Sequence, residues 1–195
     1  MTDSHARLEP NGRERLELRR LEVGLGREYL AMVDEFESAG EGYPYNNIEL
    51  ARRDFAAFVR ELEDEERGVG LPPGVFPQIT FVLVLAGRTV LGEIRFRPSV
   101  APAHGPGPDN IGYNIRPTAR RKGFGGRQLA LVLDEARALG LPGVRLAVEG
   151  ENPASAAIIL KHGGVLLPRP DDAQAVQVAL YWIALRWGGV PIAPT

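Results

Sequence analysis

The sequence predicts an α/β fold in which helices flank a mixed sheet. Two observations support this prediction. Short apolar stretches with strand periodicity alternate with stretches whose apolar residues recur at helical spacing, and a glycine-rich turn near the middle of the chain joins a strand to an amphipathic helix. The 195 residues, of which 44% are hydrophobic, can bury the core of one domain, and no internal repeat divides them.

The first half of the chain is predicted to form a strand, two helices and a hairpin. Residues 1–12 are polar and contain Pro10 and Gly12, so we expect a flexible tail before a single domain of residues 13–195. Apolar residues at alternating or helical spacing place a strand at 13–21, helices at 27–38 and 48–67, and hairpin strands at 78–86 and 88–97.

The centre of the chain is predicted to be a strand, a turn and a helix. The strand around Tyr113 ends at Pro117, because proline has no N–H with which to continue a central ladder. The run that begins at Arg127 has a one-sided apolar stripe, and Gly140 can end the helix. The stripe residues are Leu129, Val132, Leu133 and Ala136.

The last part of the chain is predicted to add a strand, a short helix and a closing hairpin. Asn152 can cap the short helix and Pro153 suits its first turn, since a proline there costs no hydrogen bond. The predicted elements are a strand at 144–148, a helix at 153–162, and hairpin strands at 165–167 and 174–185. A long proline-rich and glycine-rich loop at 98–109 precedes the central strand, and a loop of that length is usually functional or mobile.

Composition excludes several classes of function. A net charge of −2 argues against nucleic acid or an anionic membrane as a general partner. The absence of cysteine removes disulfides, thiolate metal sites and a cysteine nucleophile. No apolar run reaches the length of a membrane span, and the first residues lack the apolar core of a signal peptide, so we expect a cytoplasmic protein.

The glycine-rich turn predicts an anion site. A helix N-terminus offers unpaired backbone N–H groups that are reinforced by the helix dipole, and this arrangement suits a phosphate. Glycines let a diphosphate approach the backbone, and nearby cations favour it further, so the predicted ligand is a pyrophosphate. The residues concerned are Arg120, Arg121, Lys122, Gly123, Gly125, Gly126 and Arg127.

Known phosphate-binding motifs narrow the ligand. The chain has no Gly-x-x-x-x-Gly-Lys-Ser/Thr run, and a Gly-x-Gly-x-x-Gly motif fails because Gln128 stands in place of the third glycine. The run Arg120-x-x-Gly123-x-Gly125 instead resembles the Arg/Gln-x-x-Gly-x-Gly/Ala acyl-CoA loop of the GNAT superfamily of acetyltransferases.

Two longer runs strengthen this resemblance. Ile111-Gly-Tyr-Asn-Ile-Arg-Pro-Thr-Ala-Arg-Arg-Lys-Gly123 and Asn152-Pro-Ala-Ser155, with Lys161-His-Gly-Gly-Val-Leu166 after it, are similar to motifs of a bacterial GNAT group described as predicted acetyltransferases. The order of predicted elements also matches. The resemblance implies a three-layer fold, with helices around a central mixed, mostly antiparallel sheet that contains a splayed parallel pair of strands.

The resemblance implies acetyl-CoA as the cofactor, bound where those two strands splay apart. The pantetheine arm would contact the central strand mainly through its backbone, and the pyrophosphate would lie on the N–H groups of residues 121–126. Asn152 would reach the arm from the other side, in addition to or instead of capping its helix. The implied cofactor-binding residues are Tyr113, Asn114, Ile115, Arg120, Arg121, Lys122, Gly123, Phe124, Gly125, Gly126, Arg127, Asn152 and Ser155.

The implied reaction is direct attack of an amine on the thioester. An amine with a pKa near that of lysine is mostly protonated at neutral pH and needs a base. Glu93, on the strand before the central one, and Asp109, just before the central strand, are the candidates. Each has a structural alternative, since Glu93 could face outward beside Arg95 and Asp109 could form a turn.

The resemblance fails at the group that protonates the departing thiolate. Many GNAT enzymes use a tyrosine on the helix after Asn152, but that position is Ile159 here. Another group or water would then supply the proton, or the thiolate would need little help, because a thiol pKa is near 8.5. Tyr181 is a distant candidate, although core packing beside Trp182 would also explain it.

The acceptor is predicted only as a primary amine of a small molecule or a peptide. Tyr43 and Tyr45, in a glycine and proline loop, could line its entrance or pack over the first helix. The ordinary pKa of a histidine such as His104 suits a base, but this residue lies in a proline and glycine loop where solvation would also explain it. His5 and His162 have no partners at metal-ligand spacing, so no metal is expected. Two alternatives remain open: a GNAT-fold module that binds acyl-CoA without catalysis, and a site for another phosphorylated ligand. Monomer and homodimer are both compatible with the sequence.

Overall fold

The computed structural model describes residues 15–43, 46–99, 107–149, 152–168 and 178–185. Within these ranges the predicted order of elements is confirmed. The strands are β1 (Leu16–Arg20), β2 (Ile79–Leu85), β3 (Thr89–Phe96), β4 (Ile111–Ile115), β5 (Gly143–Glu149), β6 (Val165–Leu166) and β7 (Val178–Ala184). The α-helices are α1 (Gly26–Ser38), α2 (Ile48–Arg53), α3 (Phe55–Arg67), α4 (Phe124–Ala138) and α5 (Pro153–Lys161). The predicted tail and parts of the predicted loop and closing hairpin, at 100–106 and 169–177, lie outside the described residues.

The strands form two antiparallel sheets that meet at β4 and β5. The first has the order β1-β2-β3-β4, and the second has the order β5-β7-β6. Near the start of both central strands, Asn110 N–H donates to Arg145 O at 2.8 Å, and Arg145 N–H donates to the side-chain oxygen of Asn110 at 2.8 Å. The two strands lie side by side near this junction, and each then pairs within a different sheet. This is the splayed pair that the resemblance implies.

Helices cover both faces of the first sheet. The apolar stripe of α4 packs with one face in the largest buried cluster, where Leu129 and Val132 have no exposed surface. The opposite face packs against α1 and α3 through a second cluster that includes Tyr29 and Phe58. The burial of these stripes explains why amphipathic segments form helices here. The fold is therefore three-layered, as predicted.

One predicted helix is wrong as a single element. The run at 48–67 is interrupted at Asp54, whose backbone is extended with φ −150° and ψ 91°. The Asp54 carboxylate accepts the N–H of Ala57 at 2.9 Å and so caps α3, while its own N–H donates to Leu50 O at 2.7 Å and closes α2. Aspartate is a strong N-cap residue, so Asp54 ends one helix and begins the next.

Helix α4 begins earlier than predicted. Its first residue is Phe124 and its N-cap is Gly123, so Gly125 and Gly126 lie in the first turn of the helix and not before it. The predicted end is close to the observed one, with Gly140 in the left-handed conformation (φ 77°) just after the helix.

Among the described residues, no helix has the length and apolar character needed to cross a bilayer.

Candidate active site

A cleft of about 910 Å³ opens at the end of β4. Its walls are the end of β4, the start of α4, the start of α5 and the loop after α1. The residues that line it are Phe36, Glu41, Gly42, Tyr43, Tyr113, Asn114, Ile115, Ala119, Arg120, Arg121, Gly123, Phe124, Gly125, Gly126, Asn152, Pro153, Ala154, Ser155, Ala157, Ile158 and Lys161. Eleven of the thirteen predicted cofactor residues therefore line the cleft, nine of them from β4, the turn and the start of α4, and two, Asn152 and Ser155, from the start of α5. Lys122 and Arg127 do not line it.

The floor of the cleft at one end is the N-terminus of α4. The first N–H groups of an α-helix have no acceptor within the helix, and Gly123 as N-cap offers no side chain to them. Gly123 has φ 81° and Arg121 has φ 62°, so the turn before the helix follows a left-handed path. A Cβ on Gly125 would lie 2.9 Å from Ile158 Cδ1, which shows how closely α5 approaches this turn. The arrangement is suited to an anion at the helix N-terminus.

The predicted cations differ in their surroundings. Arg120 and Arg121 line the cleft, but the Arg120 guanidinium donates two hydrogen bonds to the Glu41 carboxylate, at 2.6 and 2.7 Å. Lys122 is exposed and donates to Thr118 O at 2.9 Å, and Arg127 is exposed on α4 outside the cleft wall. Lys161, at the end of α5, lines the cleft and was not predicted, because its distance from the glycine turn is long in sequence.

The end of β4 sends its side chains to opposite faces of the sheet. The Tyr113 hydroxyl lies 3.0 Å from the Ser155 hydroxyl on α5, and burial raises the pKa of Tyr113. On the other face, the Asn114 amide oxygen accepts the N–H of Glu93 at 3.1 Å, and its nitrogen donates to the Tyr43 hydroxyl at 3.3 Å. The strand therefore joins the α5 wall to the α1 side of the cleft.

Asn152 caps α5 as its sequence predicted. Its side-chain oxygen accepts the N–H of Ser155 at 3.0 Å, and Pro153 follows in the first turn. Asn152 also lines the cleft. The capping role is thus present, and the predicted contact with a cofactor remains a prediction that this position allows.

Glu93 is the most completely buried carboxylate near the cleft, with 1% of its surface exposed. One oxygen, Oε2, accepts hydrogen bonds from the hydroxyls of Tyr29 at 2.7 Å and Tyr43 at 2.9 Å and from the Asn46 amide at 2.9 Å. The other, Oε1, has no hydrogen-bond partner, although Arg95 Nε lies 3.9 Å away. Burial raises the pKa of Glu93 above its usual range, and the tyrosine hydrogen bonds oppose this shift.

The burial of Glu93 corrects the outward-facing alternative. Glu93 does not lie in the cleft wall either, because Tyr43 and Asn114 stand between it and the cleft. The pKa of Tyr43 is raised well above 10 by burial and by the charge of Glu93, so its hydroxyl keeps its proton and donates it to the carboxylate. The sequence could not show these contacts, which join residues 47 to 64 positions apart.

Asp109 occupies a structural position. Its carboxylate accepts from Arg145 Nε at 2.9 Å, and Arg145 is buried at the junction of β4 and β5. Asp109 is outside the cleft wall. Asp109 therefore acts as the ion-pair partner of a buried arginine. It does not lie where a base would contact the acceptor.

The other candidates are placed as follows. Ile159 is fully buried, so the position that would hold a tyrosine offers only packing. Tyr181 is buried in β7, opposite Leu146, within the main core cluster. His162 Nδ1 contacts Ile158 O at 2.8 Å, while Tyr45, His5 and His104 lie outside the described residues. The described part of the chain contains no group of three or more side chains arranged to hold a metal ion.

Comparison with known proteins agrees with this geometry. The model of a family described as an acetyltransferase (GNAT) domain matches residues 15–165. The chain belongs to this family. No curated protein sequence matches the chain.

Solved structures with this GNAT fold include enzymes of several kinds. RimL, a ribosomal L7/L12 α-N-protein acetyltransferase solved with coenzyme A, is 14% identical, with a TM-score of 0.63 over 87% of this chain and 94% of its own. YncA from Salmonella typhimurium, solved with acetyl-CoA, is 15% identical, with a TM-score of 0.55 over 91% and 98%. A chimera of spermidine N-acetyltransferase SpeG from Vibrio cholerae and hSSAT is 20% identical, with a TM-score of 0.57 over 87% and 95%. At these identities the similarity establishes the GNAT fold of this chain.

Proposed function

We propose that the protein is an acetyl-CoA-dependent N-acetyltransferase that acetylates a primary amine of a small molecule or a peptide by direct attack in a ternary complex. The observation that supports this most strongly is the glycine-lined N-terminus of α4, which opens into a cleft between the end of β4 and the start of α5. RimL acts on a protein α-amine and SpeG on spermidine, according to their names, so the family accommodates both classes of acceptor.

The residues that line the cleft would hold the cofactor along its length. The N–H groups of residues 121–126 would hold the diphosphate, with Arg121 and Lys161 adding positive charge. The backbone of β4 at 113–115 and the Asn152 side chain would flank the pantetheine arm. When bound, acetyl-CoA supplies the activated acetyl group as a thioester.

The acceptor amine would lose its proton to Glu93 through Tyr43. Tyr43 lines the cleft and donates its hydroxyl proton to Glu93, so the same hydroxyl oxygen can accept a proton from an amine as its own proton passes to the carboxylate. In this transfer one amine N–H bond breaks and one O–H bond forms on Glu93, and Tyr43 is unchanged. A carboxylate with a raised pKa is a better proton acceptor than an exposed one.

The proton for the departing thiolate would come from the hydroxyls of Ser155 and Tyr113. These groups lie 3.0 Å apart in the cleft wall, and they provide hydroxyls near a position where the usual tyrosine is replaced by Ile159. Ser155 would give its proton to the thiolate and take the Tyr113 proton, and Tyr113 would then regain a proton from water. The raised pKa of Tyr113 keeps it protonated between turnovers.

A second candidate is a module that binds acyl-CoA without catalysis. Two observations favour it: Ile159 offers no hydroxyl, and Glu93 reaches the cleft only through Tyr43. A third candidate, a site for another phosphorylated ligand, depends on the same helix N-terminus.

Release of free thiol from acetyl-CoA, measured with a panel of amines that includes polyamines, amino acids and short peptides, separates the first two candidates. An N-acetyltransferase releases thiol with at least one amine, whereas a binding module binds acetyl-CoA but releases none above background. Thermal stabilisation by CoA, ATP and NAD tests the third candidate. Stabilisation by ATP or NAD but not by CoA would reject the acetyltransferase proposal.

A further inference from the structure

Arg120 fastens the loop after α1 to the turn before α4. Its Nη1 and Nη2 donate hydrogen bonds to the two carboxylate oxygens of Glu41, at 2.6 and 2.7 Å. Its Nε donates a hydrogen bond to Ile115 O at 3.0 Å. The guanidinium carbon also lies 5.3 Å from the centre of the Phe36 ring. Two parallel hydrogen bonds fix the orientation of a carboxylate more strictly than a single contact does. We call this set of contacts, between Arg120 and Glu41, Ile115 and Phe36, the Arg120 clamp.

The clamped loop leads directly to Tyr43. Glu41 lies between Gly40 and Gly42, which both have positive φ angles of 72° and 63°. Glycines in this conformation give the backbone little intrinsic preference for one path, so a side-chain contact can decide it. Glu41 N–H donates to Phe36 O at 3.1 Å, which fixes only the start of the loop.

Packing connects the clamp with the buried carboxylate. The Phe36 ring, which lies under the Arg120 guanidinium, packs edge-on against the Tyr43 ring with 5.1 Å between centres. The Tyr43 hydroxyl then donates to Glu93 at 2.9 Å. A continuous series of contacts therefore runs from Arg120, before the glycine turn, through Phe36 and Tyr43 to Glu93.

We propose that the Arg120 and Glu41 side chains are positioning residues, which hold Tyr43 in hydrogen-bonding contact with Glu93. The inference rests on the proposed function. It changes the role expected for the Arg120 side chain. The guanidinium binds the loop that carries Tyr43, and the backbone N–H groups alone bind the diphosphate. The cofactor turn and the proton acceptor are thereby held in one geometry.

The test compares Glu41→Gln with Glu37→Gln. Glu37 is a matched control, because it is an exposed carboxylate on α1 that pairs with Arg52 outside the cleft wall. Exposed ion pairs contribute little to global stability, so neither variant is expected to change the melting temperature much. Glu41→Gln should lower kcat roughly ten- to hundredfold, as misplacement of a reacting group does, while the Kd for CoA stays within about twofold or falls.

The pH profile distinguishes positioning from a general structural effect. The Tyr43 hydrogen bond lowers the pKa of Glu93, so loss of that bond in Glu41→Gln raises it. The acidic limb of kcat/KM should then move to higher pH in Glu41→Gln and stay in place in Glu37→Gln. In a Tyr43→Phe background, Glu41→Gln should have little further effect, because both changes remove the same contact.

Hydrogen exchange of the backbone tests the clamp without any turnover. Peptides that cover residues 36–43 should exchange faster in Glu41→Gln than in the wild type or Glu37→Gln, both with and without CoA. If the wild type shows no activity with any amine, the proposed function fails but this measurement still decides whether the clamp holds the loop. Unchanged exchange in Glu41→Gln would overturn the inference. The inference would also be overturned if Glu41→Gln were active and its acidic limb stayed at the wild-type pH. The same holds if the Kd for CoA rose by the same factor as kcat fell.

Discussion

The hydroxyls of Tyr113 and Ser155 lie 3.0 Å apart and bridge β4 and α5 across the cleft. The backbone N–H of Ser155 also donates to the side-chain oxygen of Asn152, which caps α5. Ser155 is thus held by one contact to its side chain and one to its backbone. The pair places two proton-bearing groups at the point where the strand wall meets the helix. The cleft therefore contains hydroxyl groups, although Ile159 occupies the position where many GNAT enzymes have a tyrosine.

Replacement of either hydroxyl should slow acetyl transfer. Ser155→Ala removes the group proposed to protonate the thiolate, and we expect kcat to fall by roughly 10²-fold, in the usual range for general acid catalysis. Tyr113→Phe keeps the ring and should have a smaller effect. Steady-state kinetics and the Kd for acetyl-CoA, which should change by less than about threefold, separate catalysis from binding. Equal losses of kcat and cofactor affinity in Ser155→Ala would assign Ser155 to binding.

Removal of the buried carboxylate should abolish the acidic limb of the pH profile. Burial raises the pKa of Glu93, so the ionised form that accepts a proton is lost as pH falls through a value above the usual range for glutamate. In Glu93→Gln, kcat/KM should fall by roughly 10²- to 10⁴-fold and lose this limb. Asp109→Asn is the comparison, and it should keep this limb, because Asp109 pairs with Arg145 outside the cleft wall. A Glu93→Gln enzyme with wild-type rates would show that Glu93 is structural.

A Cβ at position 92 should separate β3 from β4. In the structure it would lie 2.3 Å from Asn114 O, a backbone atom that cannot move aside cheaply. Gly92→Ala should therefore destabilise the fold by roughly 2–3 kcal/mol, as overpacking of a core does. Gly112→Ala, on the paired strand, is the control, because its Cβ would meet only the Arg95 guanidinium at 3.3 Å. Urea denaturation of the two variants measures the difference, and equal stabilities would contradict the close approach.

The ion pair between Glu35 and Arg116 should make stability depend on pH. Arg116 is buried and donates Nε to Glu35 at 3.0 Å and Nη1 to Val90 O at 2.8 Å. Burial of Glu35 acts to raise its pKa, but hydrogen bonds from Arg116 and Thr118 prevail and lower it. A lowered pKa in the folded state contributes stability above the unfolded pKa, and this contribution is lost as pH falls through the folded pKa.

Glu35→Gln should therefore be less stable than the wild type at neutral pH, by roughly 2–3 kcal/mol, because the guanidinium loses its hydrogen-bonded carboxylate and keeps only Glu28 at 3.8 Å and Val90 O. The difference should shrink as pH is lowered below the usual range for glutamate. Urea unfolding at several pH values measures it. A constant difference across this range would contradict the ion pair as its source.

Local patterns in the sequence predicted much of the fold. The stripe of α4, the cap at Asn152 and the order of strands follow from spacing and from residues with strong local preferences. The break at Asp54 was missed although its signal was present, since aspartate caps helices as readily as it occupies an exposed helical position.

Contacts between distant parts of the chain could not be predicted. Glu93 is surrounded by side chains from α1 and from the loop after it, and Arg120 is 79 residues from its partner Glu41. The Tyr113 and Ser155 contact depends on how α5 packs across the cleft. Such contacts depend on tertiary packing, which spacing along one segment does not contain.

The central claim is that the N–H groups opening α4 hold the diphosphate of coenzyme A. A crystal structure of the protein with CoA tests it most directly. The account predicts the diphosphate on the N–H groups of residues 121–126, with the pantetheine arm between β4 at 113–115 and Asn152. CoA bound elsewhere, or a turn closed by its own side chains at saturating CoA, would contradict it.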